Sequence, residues 1–382
     1  MKTATRCVHL GDQDNPHGAS VPPIYQTATF RQSSATETGE FDYTRSGNPT
    51  RRLLERQIAA LEGGTHACAF ASGMAALTAL TRLVRQGDEI IAGDDLYGGT
   101  VRLLEQILPR QGIGVRYVDT TDAAAARYKF SERTKLILIE TPTNPFLRIT
   151  NLREFAQLAR ENRAILAVDN SMLSPLLQRP LELGADIVIH SATKFLCGHS
   201  DVIAGAVITN DSMLHQQIVF HQNAEGAGLN PFDSWLLLRG IKTLAIRVER
   251  QNITALRVAQ YLDRHPLIER VYYPGLEIHE GYDVHRRQAE GGGAVISFTT
   301  NDSAFSKRLV EATCLFEIAV SFGSVSSAIS LPCAMSHASI PAELRSRLAP
   351  PPDLVRLSVG IEDADDLIAD LDQAIAAASG ER

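Results

Sequence analysis

Several features that define other protein classes are scarce or absent in this chain. It has five cysteines and no CxxC pair, so we expect neither a disulfide framework nor a metal site. No apolar run approaches the roughly 20 residues that cross a membrane. The net charge of -7 comes without any block of like charges, which argues against nucleic acid or membrane partners. The first residues, MKTATRCVHLGDQD, contain charged side chains too early to leave room for the apolar stretch of a signal peptide. We therefore predict a cytoplasmic protein.

The length of the chain predicts more than one folding unit. At 382 residues it exceeds what a single hydrophobic core usually serves. Residues 1–48 are polar and lack a clear period, which predicts an extended N-terminal arm that must lie on something else to be ordered. We expect one domain over residues 49–240 and a smaller C-terminal α/β domain over 241–382, where a long helix is predicted between about 241 and 263.

Short apolar runs alternate with helical patterns through the predicted first domain. Each run is rich in Ile and Val and bounded by polar residues or glycine, as expected of strands buried on both faces. The pattern predicts an α/β fold with a mainly parallel sheet, whose ligands bind beyond the carboxyl ends of the strands. The predicted strands are EIIAG (89–93), KLILIE (135–140), ILAVD (165–169), DIVIH (186–190) and AGAVIT (204–209).

Lys194 and Asp169 give the sharpest chemical signal. Lys194 follows a predicted strand in the segment HSATKF (190–195), beside the hydroxyls of Ser191 and Thr193, and Asp169 ends the preceding strand. A lysine amine can attach to a carbonyl cofactor, and a buried carboxylate can keep a pyridine nitrogen protonated. Either residue alone has a common structural explanation, a solvated loop lysine or a turn aspartate. Together, in consecutive strand–helix units, they predict pyridoxal 5′-phosphate (PLP) as cofactor.

Three further segments are compatible with this prediction but are individually weak. Ser72 and Gly73 precede a helical pattern, whose free N–H groups would suit a phosphate. Tyr97 lies in a glycine-flanked loop, where it either stacks on a cofactor ring or is a buried loop tyrosine. Arg356 is flanked by apolar residues and needs an anion, which is either a substrate carboxylate or a structural partner.

Seven segments, in order along almost the whole chain, resemble the signatures of the Cys/Met-metabolism family of PLP enzymes. The resemblance implies a fold similar to aspartate aminotransferase (fold type I), and a homotetramer of two dimers whose active sites are shared between subunits. The segments are YTRSGNPTR (43–51), SGMAA (72–76), DLYGG (95–99), ETPTNP (140–145), VDNS (168–171), HSATKFLCGHSDVIAG (190–205) and RLSVGIED (356–363).

The resemblance implies a role for each matching residue. Lys194 would bind the cofactor covalently, Asp169 would face its ring nitrogen, and Tyr97 would stack on its ring and assist proton transfer. The phosphate would be held by Ser72, Gly73, Met74, Ser191 and Thr193, with Tyr43 and Arg45 reaching the phosphate of the neighbouring subunit. The carboxylate of a sulfur amino acid would be held by Asn144, Arg356 and Ser321.

Within the family, three runs resemble the cystathionine β-lyases of plant type: residues 170–195, 224–243, and SFGSV (321–325) with PCAMSHASIP (332–341). The family's γ-synthases and γ-lyases generally carry a glutamate before the serine of SFGSV, where this chain has Val320. The resemblance therefore implies β-elimination from L-cystathionine. The alternatives are γ-replacement or γ-elimination, a specialised biosynthetic PLP enzyme, or a cofactor-binding protein without catalysis.

Overall fold

The computed structural model describes residues 1–9, 17–336 and 349–380, which form two β-sheets surrounded by helices. Part of the predicted N-terminal arm, residues 10–16, and the end of the PCAMSHASIP run, residues 337–341, lie outside the described residues. No described helix is both long and apolar enough to cross a membrane.

The larger sheet carries the strands that the sequence predicts, together with two others. Its strands run in the spatial order β1-β7-β6-β5-β4-β2-β3, and only β7 is antiparallel to its neighbours. The α/β fold with a mainly parallel sheet is therefore confirmed. The strands are β1 His66–Phe70, β2 Glu89–Gly93, β3 Gly114–Val118, β4 Thr134–Glu140, β5 Ile165–Asp169, β6 Ile187–His190 and β7 Gly205–Thr209.

The smaller sheet follows in the C-terminal part of the chain. Its spatial order is β10-β11-β12-β9-β8, and every pair except β10–β11 is antiparallel. The strands are β8 Arg270–Tyr272, β9 Val295–Thr299, β10 Glu317–Ile318, β11 Ala328–Ser330 and β12 Val355–Ser358. Arg356 lies in the central part of this sheet, on β12.

Helices cover the sheets and connect their strands. They are α1 Thr3–His9, α2 Pro49–Glu62, α3 Gly73–Thr81, α4 Gly98–Arg102, α5 Ala123–Arg127, α6 Leu152–Asn162, α7 Ser174–Leu177, α8 Ser212–Ala224, α9 Pro231–Ile241, α10 Leu244–Arg264, α11 Tyr282–Gln288, α12 Ser303–Ala312 and α13 Ala364–Ser379. The described residues also form a π-helical turn, Leu103–Ile107, and two 3₁₀ turns, Leu108–Gln111 and Pro180–Leu183. The long helix predicted between about 241 and 263 is confirmed as α10, Leu244–Arg264, which follows directly after α9. The domain bounds stay a prediction.

Local capping explains where the main helices begin. Asn48 accepts a hydrogen bond from Thr50 N, Pro49 occupies the first turn of α2, and Gly63 ends it in the left-handed region. Asn151 and Glu154 form the capping interaction of α6 that their spacing predicts, since Glu154 N donates to the Asn151 side chain.

The predicted arm begins as a helix rather than as extended chain. Cys7 of α1 is fully buried, and the Gln57 side chain on α2 donates to its backbone oxygen over 3.0 Å. The sequence pattern did not predict this helix because its stability comes from packing against α2 and α10 rather than from its own seven residues.

Phe155 on α6 offers a direct test of this packing. Its side chain is fully buried against β4 and β5, so Phe155→Ala is expected to lower the free energy of unfolding by about 3–5 kcal/mol. Urea unfolding followed by circular dichroism measures the loss. Tyr128→Ala is the control, because Tyr128 is 86% exposed and its loss is expected to change stability by less than about 0.5 kcal/mol. Equal losses in the free energy of unfolding for the two variants would contradict the packing of Phe155 against β4 and β5.

Candidate active site

Three parallel strands end at one edge of the larger sheet and bring their polar residues together there. Glu140 ends β4, Asp169 ends β5 and His190 ends β6. Glu140 and Asp169 are register partners, and Asp169 pairs with Ile189, directly before His190. Lys194 follows four residues beyond β6. This is the edge at which open α/β sheets bind their ligands.

Lys194 lies in this cluster with its amine largely buried. Its Nζ donates a hydrogen bond to Ser321 Oγ at 2.5 Å. Burial, together with the nearby Arg356 charge, lowers the pKa of Lys194 to about 8, and the Asp169 charge acts in the opposite direction. A lysine whose ammonium loses its proton near neutral pH can act as a nucleophile and as a base.

Asp169 supplies the negative charge of the cluster. Its carboxylate accepts a hydrogen bond from Ser171 N at 2.9 Å. Burial raises the pKa of Asp169, while its hydrogen bonds to Ser171 and the charges of His190 and Lys194 act in the opposite direction. A cationic partner stabilises the ionised form of a buried carboxylate in this position, and a protonated ring nitrogen would be such a partner.

The N-terminus of α3 faces the loop that follows β6. The Ser72 hydroxyl caps the helix by accepting from Ala75 N at 3.0 Å, and the N–H groups of Gly73 and Met74 have no partner within the helix because they lie in its first turn. A side-chain carbon at Gly73 would lie 3.0 Å from Ser191 Cβ, so the two loops touch. The arrangement provides free N–H donors and a hydroxyl for a phosphate.

The hydroxyl of Thr193, in the same loop after β6 as Ser191, forms hydrogen bonds with backbone groups. It donates to Ala204 O at 3.2 Å and accepts from Ala204 N at 3.0 Å, which ties the lysine loop to the start of β7. Ser191 N is similarly held by the Ser171 hydroxyl at 2.6 Å. The phosphate contact expected of Thr193 stays a prediction.

Tyr97 presents a partly exposed ring beside α3. It is 41% exposed, and its backbone N–H donates to Glu140 Oε2 at 3.3 Å. A side chain at Gly99 would put its first carbon 2.4 Å from Tyr97 Cε1 and 3.1 Å from Met74 Sδ. Glycine at position 99 therefore lets the ring lie close to the N-terminus of α3.

Arg356 is a fully buried cation that reaches the same place from the smaller sheet. Its Nη1 donates to Asn144 Oδ1 at 2.9 Å and its Nη2 to Ser321 O at 3.0 Å, while Nε has no partner. Burial lowers the pKa of Arg356 to about 10. No carboxylate among the described residues forms a salt bridge with it. A buried guanidinium in this condition favours an anionic ligand.

Ser321 connects Lys194 with Arg356. Its hydroxyl meets the lysine and its carbonyl meets the arginine, whereas the sequence predicted only a role at the substrate carboxylate. Its backbone has φ +87°, a conformation that is unfavourable for a residue with a side chain. Such strain persists where surrounding contacts impose it, and it is concentrated at functional sites.

Tyr43 and Arg45 form a small surface group of their own. The Arg45 guanidinium lies 5.3 Å from the centre of the Tyr43 ring, and its Nε donates to Asn223 on α8 at 3.1 Å. Tyr43 remains 43% exposed. Their expected contact with the phosphate of a neighbouring subunit stays a prediction.

Sequence reasoning missed two residues of this site. Glu140 is buried beside Asp169, and burial raises its pKa well above the usual value, with the Asp169 and Asp95 charges adding to the shift. Its position at the end of β4 was a usable signal, since the same rule identified Asp169. Phe322 lies near both Lys194 and Arg356, and no local pattern in the sequence predicts that.

PLP fits the set of groups at this edge. The unpartnered Nε of Arg356, the buried carboxylate of Asp169, the amine of Lys194 and the first-turn N–H groups of α3 match an anionic substrate, a cationic ring nitrogen, an aldehyde and a phosphate. No group of three or more His, Cys, Asp or Glu side chains suited to a metal ion occurs in the described part of the chain.

Comparison with known proteins agrees with this geometry. Residues 4–376 match the family described as Cys/Met metabolism PLP-dependent enzyme. The chain is 53% identical to the chloroplastic cystathionine beta-lyase of Arabidopsis thaliana, over 97% of this chain and 80% of that protein. It is 51% identical to the cystathionine beta-lyase of Neurospora crassa, over 97% and 81%. The solved cystathionine gamma-lyase of Lactobacillus plantarum, complexed with L-serine, superposes with a TM-score of 0.97 at 41% identity, covering 99% of this chain and 100% of that one.

Proposed function

The chain belongs to the Cys/Met metabolism family of PLP-dependent enzymes, and on that basis we propose that it is a carbon–sulfur β-lyase acting on L-cystathionine. One water would be consumed, and the products would be homocysteine, pyruvate and ammonia. The observation that carries this proposal is the buried group of Lys194, Ser321 and Arg356, in which an amine of lowered pKa lies beside a guanidinium without a carboxylate.

Lys194 moves the proton in the proposed reaction. PLP, when bound, withdraws electrons from the substrate Cα and so makes its hydrogen acidic. Lys194 would hold the cofactor until the substrate binds, and its free Nζ would then remove the Cα proton. Asp169 would stabilise positive charge on the ring nitrogen, and Tyr97 or the lysine would accept the proton of the incoming amine. A proton returned to the departing sulfur completes loss of homocysteine, and positioned acid–base steps of this kind contribute roughly 10²–10⁴-fold each.

Arg356 and Asn144 orient the substrate. Arg356 binds the α-carboxylate through two N–H groups, and its own bonds to Asn144 and Ser321 restrict the guanidinium to one plane. Fixing the carboxylate aligns the Cα–H bond with Lys194, and such alignment lowers the entropic part of the activation barrier.

The specific reaction depends on the substrate arm that carries sulfur. Val320 is 56% exposed and precedes Ser321, where a carboxylate in other family members would assist γ-chemistry. The resemblance to the cystathionine beta-lyases supports β-elimination. The high similarity to a cystathionine gamma-lyase structure supports γ-elimination or γ-replacement as the second candidate.

Incubation of the cofactor-loaded protein with L-cystathionine separates these candidates. Pyruvate with homocysteine supports the β-lyase, and 2-oxobutyrate with cysteine contradicts it in favour of γ-elimination. The γ-synthase alternative predicts cystathionine from an O-acyl-homoserine and cysteine. A cofactor spectrum that responds to no amino acid would indicate a protein without this catalysis.

Val320→Glu tests the residue on which this distinction depends. The exposed position tolerates the charge, so we expect a folded protein with a lower ratio of pyruvate to 2-oxobutyrate from cystathionine. Val320→Gln is the control for side-chain length without charge. An unchanged product ratio in Val320→Glu would show that position 320 does not decide the reaction.

We further propose that the protein is a cytoplasmic homotetramer built from two dimers with shared active sites. The exposed Tyr43 and Tyr97 support a subunit contact, and the free state of Cys7, Cys68, Cys197, Cys314 and Cys333 supports a reducing compartment. Light scattering of the purified protein gives the subunit number. A monomer would contradict the proposed contribution of Tyr43 and Arg45 to a neighbouring site.

A further inference from the structure

The loop 321–323 is pressed against the backbone of the lysine segment. Gly323 has φ +87°, and a side-chain carbon there would lie 2.8 Å from Phe195 N and 3.1 Å from the Lys194 carbonyl carbon. Gly323 N also donates to Ser358 Oγ at 2.9 Å. The close approach fixes the residue before it, Phe322, relative to both Lys194 and β12.

The Phe322 ring lies within reach of two cations of the site. Lys194 Nζ is 4.9 Å from the ring centroid, and Arg356 Cζ is 5.6 Å from it. The Phe195 ring packs against the same side chain, with 6.0 Å between centroids and a tilt of 45°. A cation within about 6 Å of an aromatic ring is attracted by its negative face, most strongly where water is excluded.

The positive charges of Lys194 and Arg356 repel each other, and the Phe322 ring offsets that repulsion. The Arg356 charge disfavours a proton on Lys194, and burial acts in the same direction. An aromatic face stabilises both positive charges at once, which an aliphatic side chain of the same size cannot do. The ring also restricts where each cation can lie, because attraction weakens as the cation leaves the face.

We propose that Phe322 is a positioning residue that holds the Lys194 amine and the Arg356 guanidinium against one aromatic ring and sustains the charge on both. It acts through these two side chains and needs no contact with the substrate. The proposal rests on the roles proposed above for Lys194 and Arg356, but not on which sulfur amino acid is cleaved.

The test measures the proton affinity of Lys194 without using turnover. Full-length, cofactor-free protein is mixed with PLP at a series of pH values, and the rate of capture is followed by absorbance. In the wild type the rate should rise with a midpoint near pH 8 as Lys194 loses its proton. In Phe322→Leu the ammonium loses the ring, so we expect the midpoint to fall by about half a unit to one and a half units.

Phe322→Tyr keeps the ring and should keep the wild-type midpoint, which separates the aromatic effect from general disturbance of the loop. Phe322→Met provides a second non-aromatic variant if Phe322→Leu folds poorly, and it should show the same downward shift. A midpoint that is equal in all four proteins would overturn the proposal. So would a shift in Phe322→Tyr as large as that in the non-aromatic variants.

A second readout concerns Arg356. Without the ring, the guanidinium of Arg356 is less restricted. In Phe322→Leu we therefore expect KM for the amino acid to rise by a larger factor than kcat falls, whereas Phe322→Tyr should keep the wild-type KM. A fall in kcat with unchanged KM would contradict the arginine part of the proposal. Because capture of PLP does not require cystathionine cleavage, the midpoint shift decides the role of Phe322 even if the proposed substrate is wrong.

Discussion

Replacement of Lys194 by alanine is expected to lower turnover of L-cystathionine by more than about 10⁴-fold. Two functions are lost together, covalent attachment of the cofactor and removal of the Cα proton, and a single positioned acid or base already contributes roughly 10²–10⁴-fold. The Ser321 hydroxyl, which accepts from Lys194 at 2.5 Å, would remain without its partner but cannot serve as the base. Steady-state release of pyruvate measures the loss.

The matched control for this substitution is Lys129→Ala, because Lys129 is exposed and lies outside the cluster of polar residues at the strand ends. Its turnover should equal that of the wild type. Circular dichroism should show that both variants are folded. Near-normal turnover in Lys194→Ala would refute the assignment of this residue.

Arg356→Leu is expected to produce the second large effect, a fall of about 10²–10⁴-fold in kcat/KM. The substitution removes two charge-assisted hydrogen bonds to the substrate carboxylate, each worth about 1.5–3 kcal/mol. Leucine also leaves Asn144 Oδ1 and Ser321 O without the donors that now meet them. We expect most of the loss to appear in KM, with cofactor capture retained, as measured by initial rates over a range of cystathionine concentrations.

Arg356→Lys refines this test because it keeps a charge but not the two-pronged geometry, so its kcat/KM should lie between those of Arg356→Leu and the wild type. Arg250→Leu controls for loss of a guanidinium at the surface, where Arg250 pairs with Asp363. A similar kcat/KM for Arg356→Leu and Arg250→Leu would contradict carboxylate binding by Arg356.

The strands that position the site were predictable because each is a continuous buried run ending in a polar residue. Asp169 and the lysine loop follow from that rule alone. Strands β1 and β3 were not predicted. HACAF contains no Ile or Val, and GVRYV is an edge strand interrupted by Arg116, so neither has the uninterrupted Ile and Val pattern of a central strand.

The contacts within the site that sequence reasoning did not predict join distant segments of the chain. Ser321 meets Lys194 across 127 residues of chain, and Asn144 meets Arg356 across 212. No local periodicity in the sequence predicts such a contact. Phe322, from the sequence alone, cannot be told from an ordinary core phenylalanine. Its nearness to two cations follows only from the way the smaller sheet is placed against the larger one.

Covalent attachment of PLP to Lys194 can be tested directly. Reduction of the cofactor-loaded protein with borohydride, followed by proteolysis and mass spectrometry, fixes the cofactor to its lysine and identifies the peptide. We expect a single modified residue, Lys194, within the segment HSATKF. Attachment to any other lysine, with Lys194 unmodified, would contradict the site described here.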